Sequence, residues 1–174
     1  MYGWRGRIGL LVPSVNTTIE PEFYRLAPEG VSIHAGRVPI GAISAAGLST
    51  DDQYIDAAAK LLSDINAKAI AYACNGANVV AGQEAELEEA KRISAIAGAP
   101  AVMASAALHE ALLALNVRRV VFATPYPPDL NESNDAYWKS CGMEVLHTGS
   151  VNLGGSRTPI EPLSSVPISK VGIQ

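Results

Sequence analysis

The sequence has few cysteines, no cluster of positive charge and no long apolar run. Neither of its two cysteines, Cys74 and Cys141, has the CxxC or Cys/His spacing of a zinc site. The 13 lysines and arginines are scattered and the formal net charge is -4, so nucleic acid is not an expected partner. No apolar segment reaches the ~18 residues of a membrane span, and no signal-peptide pattern opens the chain. These absences predict a cytoplasmic protein with free thiols that does not contact membranes.

The residues that are present alternate between short apolar runs and longer amphipathic segments. The runs predict strands at residues 7–12, 31–38, 68–73, 101–104, 120–123 and 144–147. Helical spacing predicts helices at residues 17–26, 51–65, 84–97, 105–115 and 129–141. Thr17 and Glu20 have the spacing of a capping box for the first helix, and Thr50 or Asp51 is placed to cap the second. Strands separated by helices are typical of an α/β fold with a mainly parallel, Rossmann-like sheet.

Two unequal halves follow from this order of elements. Residues 1–115 form the predicted N-terminal α/β half, which carries Cys74, and residues 116–174 form a partial second half. The second half has too few predicted strands to complete a sheet of its own. Its residues 150–174 contain three prolines and three glycines, which is typical of a loop-like tail. An incomplete half would leave apolar surface exposed, so a homo-oligomer is expected.

Three polar segments follow predicted strands and are expected to meet. They are residues 13–18, 74–78 and 124–131. In an open parallel sheet, ligands bind beyond the carboxyl ends of the strands. The hydroxyl and amide side chains of these segments therefore predict one shared polar pocket.

Cys74 brings the most reactive side chain to this pocket. It lies where a strand gives way to a helix, and a helix N-terminus lowers the pKa of a thiol by favouring the anion. The backbone N–H groups of Asn75, Gly76 and Ala77 are placed to hold a carboxylate or an oxyanion. A small buried hydrophobic cysteine fits the same position. The spacing does not separate these two interpretations.

Asn16 and Tyr126 also have two interpretations each. Asn16, with Ser14 beside it, suits hydrogen bonding to a small anion, but Ser, Asn and Thr also form turns and helix caps. Tyr126 lies between two prolines that either aim its hydroxyl into the pocket or hold it as a surface turn residue. Cys141 ends a predicted helix, where the dipole disfavours a thiolate, so we assign it a structural role.

Three segments of the chain resemble maleate cis-trans isomerases. Residues 7–23 (RIGLLVPSVNTTIEPEF) are similar to the opening of these enzymes, residues 71–74 (AYAC) to their first active-site cysteine segment, and residues 118–126 (RRVVFATPY) to their central tyrosine segment. These enzymes belong to the aspartate/glutamate racemase superfamily, together with arylmalonate decarboxylases and an ectoine-utilisation branch. The resemblance covers roughly residues 7–149, with the motifs in the family's order.

The resemblance implies an Asp/Glu racemase-type fold and a role for each motif. Cys74 would be the nucleophile, Asn16 would bind a substrate carboxylate and Tyr126 would hydrogen-bond the substrate. Ser14 and the backbone after Cys74 would assist. The implied reaction is the isomerisation of maleate, or a close analogue, to fumarate by covalent addition of the Cys74 thiolate. A small dicarboxylate is thus the implied partner, and neither a cofactor nor a metal is expected.

The chain departs from the family pattern at one point. Members typically have a second cysteine in the later half, and Cys141 does not replace it because it ends an earlier helix. A racemase-like or ectoine-utilisation enzyme and an inactive small-dicarboxylate binder therefore stay as alternatives. Arylmalonate decarboxylases lack the earlier cysteine, so the presence of Cys74 argues against their activity.

Overall fold

The computed structural model describes residues 2–48 and 52–150, and within them strands and helices alternate. The strands are β1 (Gly6–Pro13), β2 (Val31–Val38), β3 (Ala69–Tyr72), β4 (Ala101–Met103), β5 (Arg119–Thr124) and β6 (Glu144–Ser150). The helices are α1 (Ile19–Leu26), α2 (Asp52–Ser63), α3 (Asn75–Ala81), α4 (Gln83–Ala97), α5 (Ala104–Ala114) and α6 (Pro128–Ser140). The predicted α/β class is confirmed.

The first four strands form one parallel sheet in the order β2-β1-β3-β4. In its centre, β1 pairs with β2 from Gly6↔Val31 to Pro13↔Val38, and with β3 from Ile8↔Ala69 to Leu11↔Tyr72. Because every pairing is parallel, the carboxyl ends of β1 and β3 lie side by side. The turns that follow these two strands, at residues 13–18 and 74–78, therefore leave from the same edge.

The central strand β1 is buried because helices cover both faces of the sheet. Leu10, Leu11 and Val12 are 0% exposed, as expected for a continuous apolar strand in a parallel sheet. Gly9 lets the side chains of Ile70 and Leu62 pack directly on this strand. A Cβ at that position would lie 2.5 Å from Ile70 Cδ1 and 3.1 Å from Leu62 Cδ1.

The last two strands form a separate parallel pair. They run from Arg119↔Glu144 to Thr124↔Ser150 with a register shift after Val120, and α6 packs on them through Trp138, whose ring lies 5.4 Å from that of Phe122. One buried cluster joins this unit to α3 and to Leu48: it comprises Leu48, Val79, Leu130, Tyr137, Trp138 and Met143. The second unit therefore packs against the helix that directly follows β3.

Apolar side chains are exposed on this pair of strands. Val121 is 61% exposed and Leu146 is 49% exposed. Exposed apolar surface of this kind is what an incomplete half was expected to show. Self-association itself stays a prediction.

Two local predictions are wrong. The first helix begins at Ile19, and Asn16 Oδ1 rather than the predicted Thr17/Glu20 capping box accepts the free N–H groups of its first turn. Glu20 instead pairs with Arg37. Residues 75–78, predicted as a turn, begin helix α3, which ends where Gly82 adopts a φ of 86°.

Two further predictions lie outside the described residues. They are the cap of the second helix at Thr50 or Asp51 and the loop-like tail beyond residue 150. Strand β6, by contrast, is longer than predicted and extends to Ser150.

Candidate active site

Cys74 occupies the N-cap position of α3, directly after β3. Its side chain is 5% exposed. The backbone of Ala77 and the side chain of Tyr72 both act to lower the pKa of this thiol. The predicted nucleophile thus lies at a helix start between two groups that favour its anion.

The ionisation of Cys74 differs from the expectation. Burial raises the pKa of the Cys74 thiol above its ordinary value, and this effect exceeds the lowering by the hydrogen bonds from Ala77 and Tyr72. The predicted decrease of the pKa at a helix N-terminus is therefore wrong. The physical reason is that removal of water from a nearly enclosed sulfur penalises the anion more than two donors favour it.

Tyr126 lies beside the Cys74 turn and is hydrogen-bonded to Asn75 of that turn. The Nδ2 group of Asn75 donates a 3.0 Å hydrogen bond to the Tyr126 hydroxyl oxygen. The Oδ1 atom of Asn75 accepts a 2.9 Å hydrogen bond from Ser105 Oγ, at the start of α5. Burial raises the pKa of Tyr126, while the Asn75 hydrogen bond lowers it. Tyr126 is thus a neutral phenol at neutral pH, with Asn75 as its donor.

The loop that carries Tyr126 is held from both sides by two polar side chains. Thr124 Oγ1 donates to Asn131 Oδ1 at 2.6 Å, and Asn131 Nδ2 donates to the Tyr126 carbonyl at 3.1 Å. The Tyr126 N–H in turn donates to Thr124 Oγ1 at 3.3 Å. These bonds fix the loop backbone. Asn131, in the first turn of α6, therefore supports the loop that carries the tyrosine.

Gly76 lets the side chains of Leu48 and Tyr126 approach the Cys74 turn closely, because glycine has no Cβ. A Cβ at Gly76 would lie 2.6 Å from Leu48 Cδ1 and 3.8 Å from the Tyr126 hydroxyl. The segment before Leu48 is anchored to the second unit, because the Ala45 N–H donates to Asp129 Oδ2 at 2.8 Å. Leu48 and Tyr126 thus approach the same residue of the Cys74 turn from different parts of the chain.

Asn16 and Ser14 lie in the turn after β1, next to the Cys74 turn along the sheet edge. Asn16 Oδ1 accepts the N–H groups of Thr18 and Ile19, both at 3.0 Å. Its Nδ2 group has no acceptor among residues 2–48 and 52–150. The Arg37 guanidinium donates to the carbonyl oxygens of Ser14 and Asn16, at 3.2 and 2.8 Å. The Oδ1 atom of Asn16 is therefore used within the turn, whereas its Nδ2 group is not bonded to the described residues.

A cavity of about 170 Å³ borders Asn75, Thr124 and Tyr126. This volume lies below the roughly 300–1,000 Å³ of pockets for drug-sized ligands, which suits a small organic acid. Asn134 also borders the cavity and is 2% exposed. Its Oδ1 accepts a hydrogen bond from Trp138 Nε1 at 3.1 Å, and its Nδ2 atom is itself covered.

A larger cavity of about 520 Å³ lies on the other side of the turn, beside Ala77. Its cation, Arg92, contacts Asp52 at 3.0 Å and Glu89 at 3.5 Å, and also pairs with Asp56. Three carboxylates around one guanidinium leave net negative charge. The larger cavity therefore does not favour an anionic ligand.

The structure brings together five of the seven predicted site residues: Cys74, Asn75, Gly76, Ala77 and Tyr126. Ser14 and Asn16 are held in the adjacent turn. Sequence analysis missed Ser105 and Arg37, which have no motif of their own because their partners are distant in the chain. In the described part of the chain, no group of three His, Cys, Asp or Glu side chains is placed to hold a metal. No helix within that part is long and apolar enough to cross a bilayer.

The site therefore consists of a cysteine and a tyrosine that follow parallel strands of an α/β scaffold. The sequence model of the family described as arylmalonate decarboxylase matches residues 8–168. The chain belongs to this family. The predicted resemblance is therefore confirmed.

The similar proteins include maleate isomerases. Those of Pseudomonas putida and Nocardia farcinica are 30% and 32% identical over 151 and 149 residues, which is 80% of this chain in both cases. The matches cover 60% and 59% of these relatives, so the chain spans about 60% of their length. A solved structure of the Nocardia farcinica isomerase superposes with a TM-score of 0.78 at 26% identity, covering 95% of this chain and 75% of that one. It is a cysteine-to-serine mutant with a covalently bound succinylcysteine intermediate.

Proposed function

We propose that this chain catalyses the cofactor-independent cis-trans isomerisation of maleate, or of a close analogue, to fumarate. Cys74 is the nucleophile in this proposal. The observation that carries it is the placement of Cys74 at the N-cap of α3, with the hydrogen-bonded Asn75–Tyr126 pair beside it. The succinylcysteine intermediate of the Nocardia farcinica relative supports covalent addition of a cysteine.

The reaction begins when the Cys74 thiol loses its proton to solvent. The thiolate forms a C–S bond with one alkene carbon of maleate, and the π electron pair moves into the adjacent carboxylate to give an enediolate. The former double bond is now single and rotates. The electron pair then returns, the C–S bond breaks and the thiolate leaves fumarate. Electrons and atoms balance without any redox change.

The neighbouring polar groups stabilise the charge that develops. Tyr126 donates a hydrogen bond to the enediolate and keeps its proton, because its oxygen already accepts from Asn75. The free Nδ2 group of Asn16 binds a substrate carboxylate, and the backbone at Gly76 and Ala77 assists together with Ser14. The small cavity beside Asn75 and Tyr126 is the place for the second carboxylate.

A proton NMR time course of the purified chain with maleate tests this function. Fumarate is expected with the wild-type chain and with the control Cys141→Ser, whose cysteine lies at the end of α6. No fumarate is expected with Cys74→Ser. Turnover that persists in Cys74→Ser at the wild-type rate would overturn the covalent mechanism.

A second candidate, a small-dicarboxylate binder without turnover, is favoured by the burial of Cys74 and its raised pKa. This alternative predicts that maleate raises the melting temperature of the chain while no product forms. A racemase-like enzyme instead predicts exchange of substrate hydrogen for deuterium in D2O without isomerisation. The same NMR experiment, run in D2O, separates the three outcomes.

A further inference from the structure

A chain of two hydrogen bonds runs from the core of the first sheet to Tyr126. Ser105 Oγ donates to Asn75 Oδ1 at 2.9 Å, and Asn75 Nδ2 donates to the Tyr126 hydroxyl at 3.0 Å. The three residues come from α5, from α3 and from the loop after β5, so no local sequence motif contains them. Ser105 is 0% exposed, whereas Tyr126 borders the 170 Å³ cavity.

The direction of this chain follows from burial. Serine and tyrosine hydroxyls both donate and accept, so the Asn75 amide has two possible orientations. If Asn75 turned its Nδ2 group towards Ser105, the Ser105 proton would need another acceptor, and Asn75 Oδ1 is the one partner of Ser105 Oγ among residues 2–48 and 52–150. A buried donor without an acceptor is costly. The Ser105 proton therefore goes to Asn75 Oδ1, and Nδ2 faces Tyr126.

This direction decides what Tyr126 offers to a ligand. Its oxygen accepts from Asn75, so its own proton is left to donate into the cavity. In the opposite orientation Tyr126 would donate to Asn75 and present only lone pairs, which repel a carboxylate or an enediolate. Acceptance of one hydrogen bond also strengthens the bond that the same hydroxyl donates.

We propose that Ser105 is a positioning residue: its buried hydroxyl orients the Asn75 amide, and the amide makes Tyr126 a hydrogen-bond donor to the substrate. The catalytic consequence of this role rests on the proposed isomerisation. The orientation of Asn75 and the state of Tyr126 are properties of the chain alone and are measured without substrate.

The titration of Tyr126 tests the proposal directly. The six tyrosines are replaced biosynthetically by difluorotyrosine, which lowers phenol pKa values into a range where the fold persists, and the Tyr126 signal in the fluorine NMR spectrum is assigned with Tyr126→Phe. Ser105→Ala frees the Asn75 amide, so the phenolate loses a fixed donor. We expect the titration midpoint of residue 126 to rise by roughly half a unit to one unit.

Two variants serve as controls for this titration. Ser105→Thr keeps the hydroxyl and should restore the wild-type midpoint. Ser133→Ala removes a helical serine whose hydroxyl bonds to the carbonyl four residues earlier, at 3.2 Å, and should leave the midpoint unchanged. If Ser105→Ala does not fold, Ser105→Cys replaces it, because a thiol is a weak donor of similar size. The expected shift has the same direction.

The kinetics with maleate complete the test. Ser105→Ala should lower kcat roughly tenfold while KM changes less than about twofold, because the donated proton matters most when charge develops. An unchanged Tyr126 titration midpoint in a folded Ser105→Ala variant would overturn the proposal. A lower melting temperature with an unchanged midpoint would show that Ser105 contributes only to stability. A shifted midpoint in a chain that does not turn over maleate would support the positioning role and reject the proposed function.

Discussion

Asn75 and Tyr126, 51 residues apart in the chain, are joined by a 3.0 Å hydrogen bond between the side-chain amide and the phenol oxygen. Asn75 follows the cysteine at the end of β3, and Tyr126 follows β5. The bond therefore links the four-stranded sheet to the two-stranded sheet at the place where both offer polar groups. It also joins two segments that resemble different active-site motifs of one enzyme family.

The pH dependence of turnover is expected to follow the Cys74 thiol. Its pKa is raised by burial, so the reactive thiolate is a minor species at neutral pH. With a raised pKa, the thiolate fraction grows as pH rises, and kcat/KM should increase about tenfold per pH unit from pH about 6 to about 8. The profile is measured by stopping the reactions at set times and quantifying the product by NMR. The control variant Cys141→Ser should show the same slope as the wild type. A profile that is flat over this range contradicts the raised pKa.

Replacement of Asn16 should separate its two roles. Asn16→Asp keeps the side-chain oxygen that accepts from Thr18 and Ile19, but it loses the amide donor and adds a negative charge. We expect a melting temperature near that of the wild type and a KM for maleate at least about tenfold higher, because like charges repel. Asn16→Ala removes the cap as well and should also lose about 1 kcal/mol of unfolding free energy. Equal KM values for the wild type and Asn16→Asp would exclude Asn16 from substrate binding.

Removal of the Tyr126 hydroxyl should impair catalysis more than folding. Tyr126→Phe retains the ring and the backbone bonds to Thr124 and Asn131, and it loses only the atom that faces Asn75. The expected loss in kcat is roughly a hundredfold or more, as for other donors to a developing oxyanion. Tyr54→Phe, on the exposed side of α2, is the matched control and should be fully active. Wild-type kcat in Tyr126→Phe would remove the tyrosine from the mechanism.

Glu86 gives the stability of the fold a pH dependence away from the site. Its side chain is 2% exposed and accepts hydrogen bonds from the Tyr137 hydroxyl and, at 3.2 Å, from the Ala106 N–H. Burial raises the pKa of Glu86, against lowering by these two donors and by His109. This contact ties α4, α5 and α6 together. Because of this raised pKa, the Glu86 carboxyl keeps its proton in the folded chain at pH values where it has already lost it in the unfolded chain.

The sign of the Glu86 effect follows from proton counting. Between its unfolded pKa and its raised folded pKa, the folded chain binds more protons than the unfolded chain, so unfolding free energy falls as pH rises. Glu86→Gln should make this fall shallower as pH rises above about 4.5, as measured by urea unfolding. The exposed Glu132→Gln is the control and should retain the wild-type slope. A steeper fall in Glu86→Gln would contradict the direction of the pKa shift.

Much of the architecture was predictable from local patterns. The apolar run at residues 7–12 predicted β1 because a strand covered on both faces carries few polar side chains. The helical spacing at residues 129–141 predicted α6 within one residue of its observed bounds. The start of α1 was not predicted: Thr18 is at the N-cap position, and Glu20, expected in the capping box, pairs instead with Arg37 of β2, which is distant in the sequence.

The sequence by itself determined the order of the elements, the family and the identity of the side chains at the strand ends, because these depend on residues near one another in the chain. Only the tertiary structure decided the protonation and the hydrogen bonding of those side chains. The pKa of Cys74 is raised because packing around the turn removes water, an effect that no local motif contains. The direction of hydrogen bonding at Tyr126 depends on Ser105, which is buried at the start of α5 and reaches Asn75 only when β3 and β4 have paired.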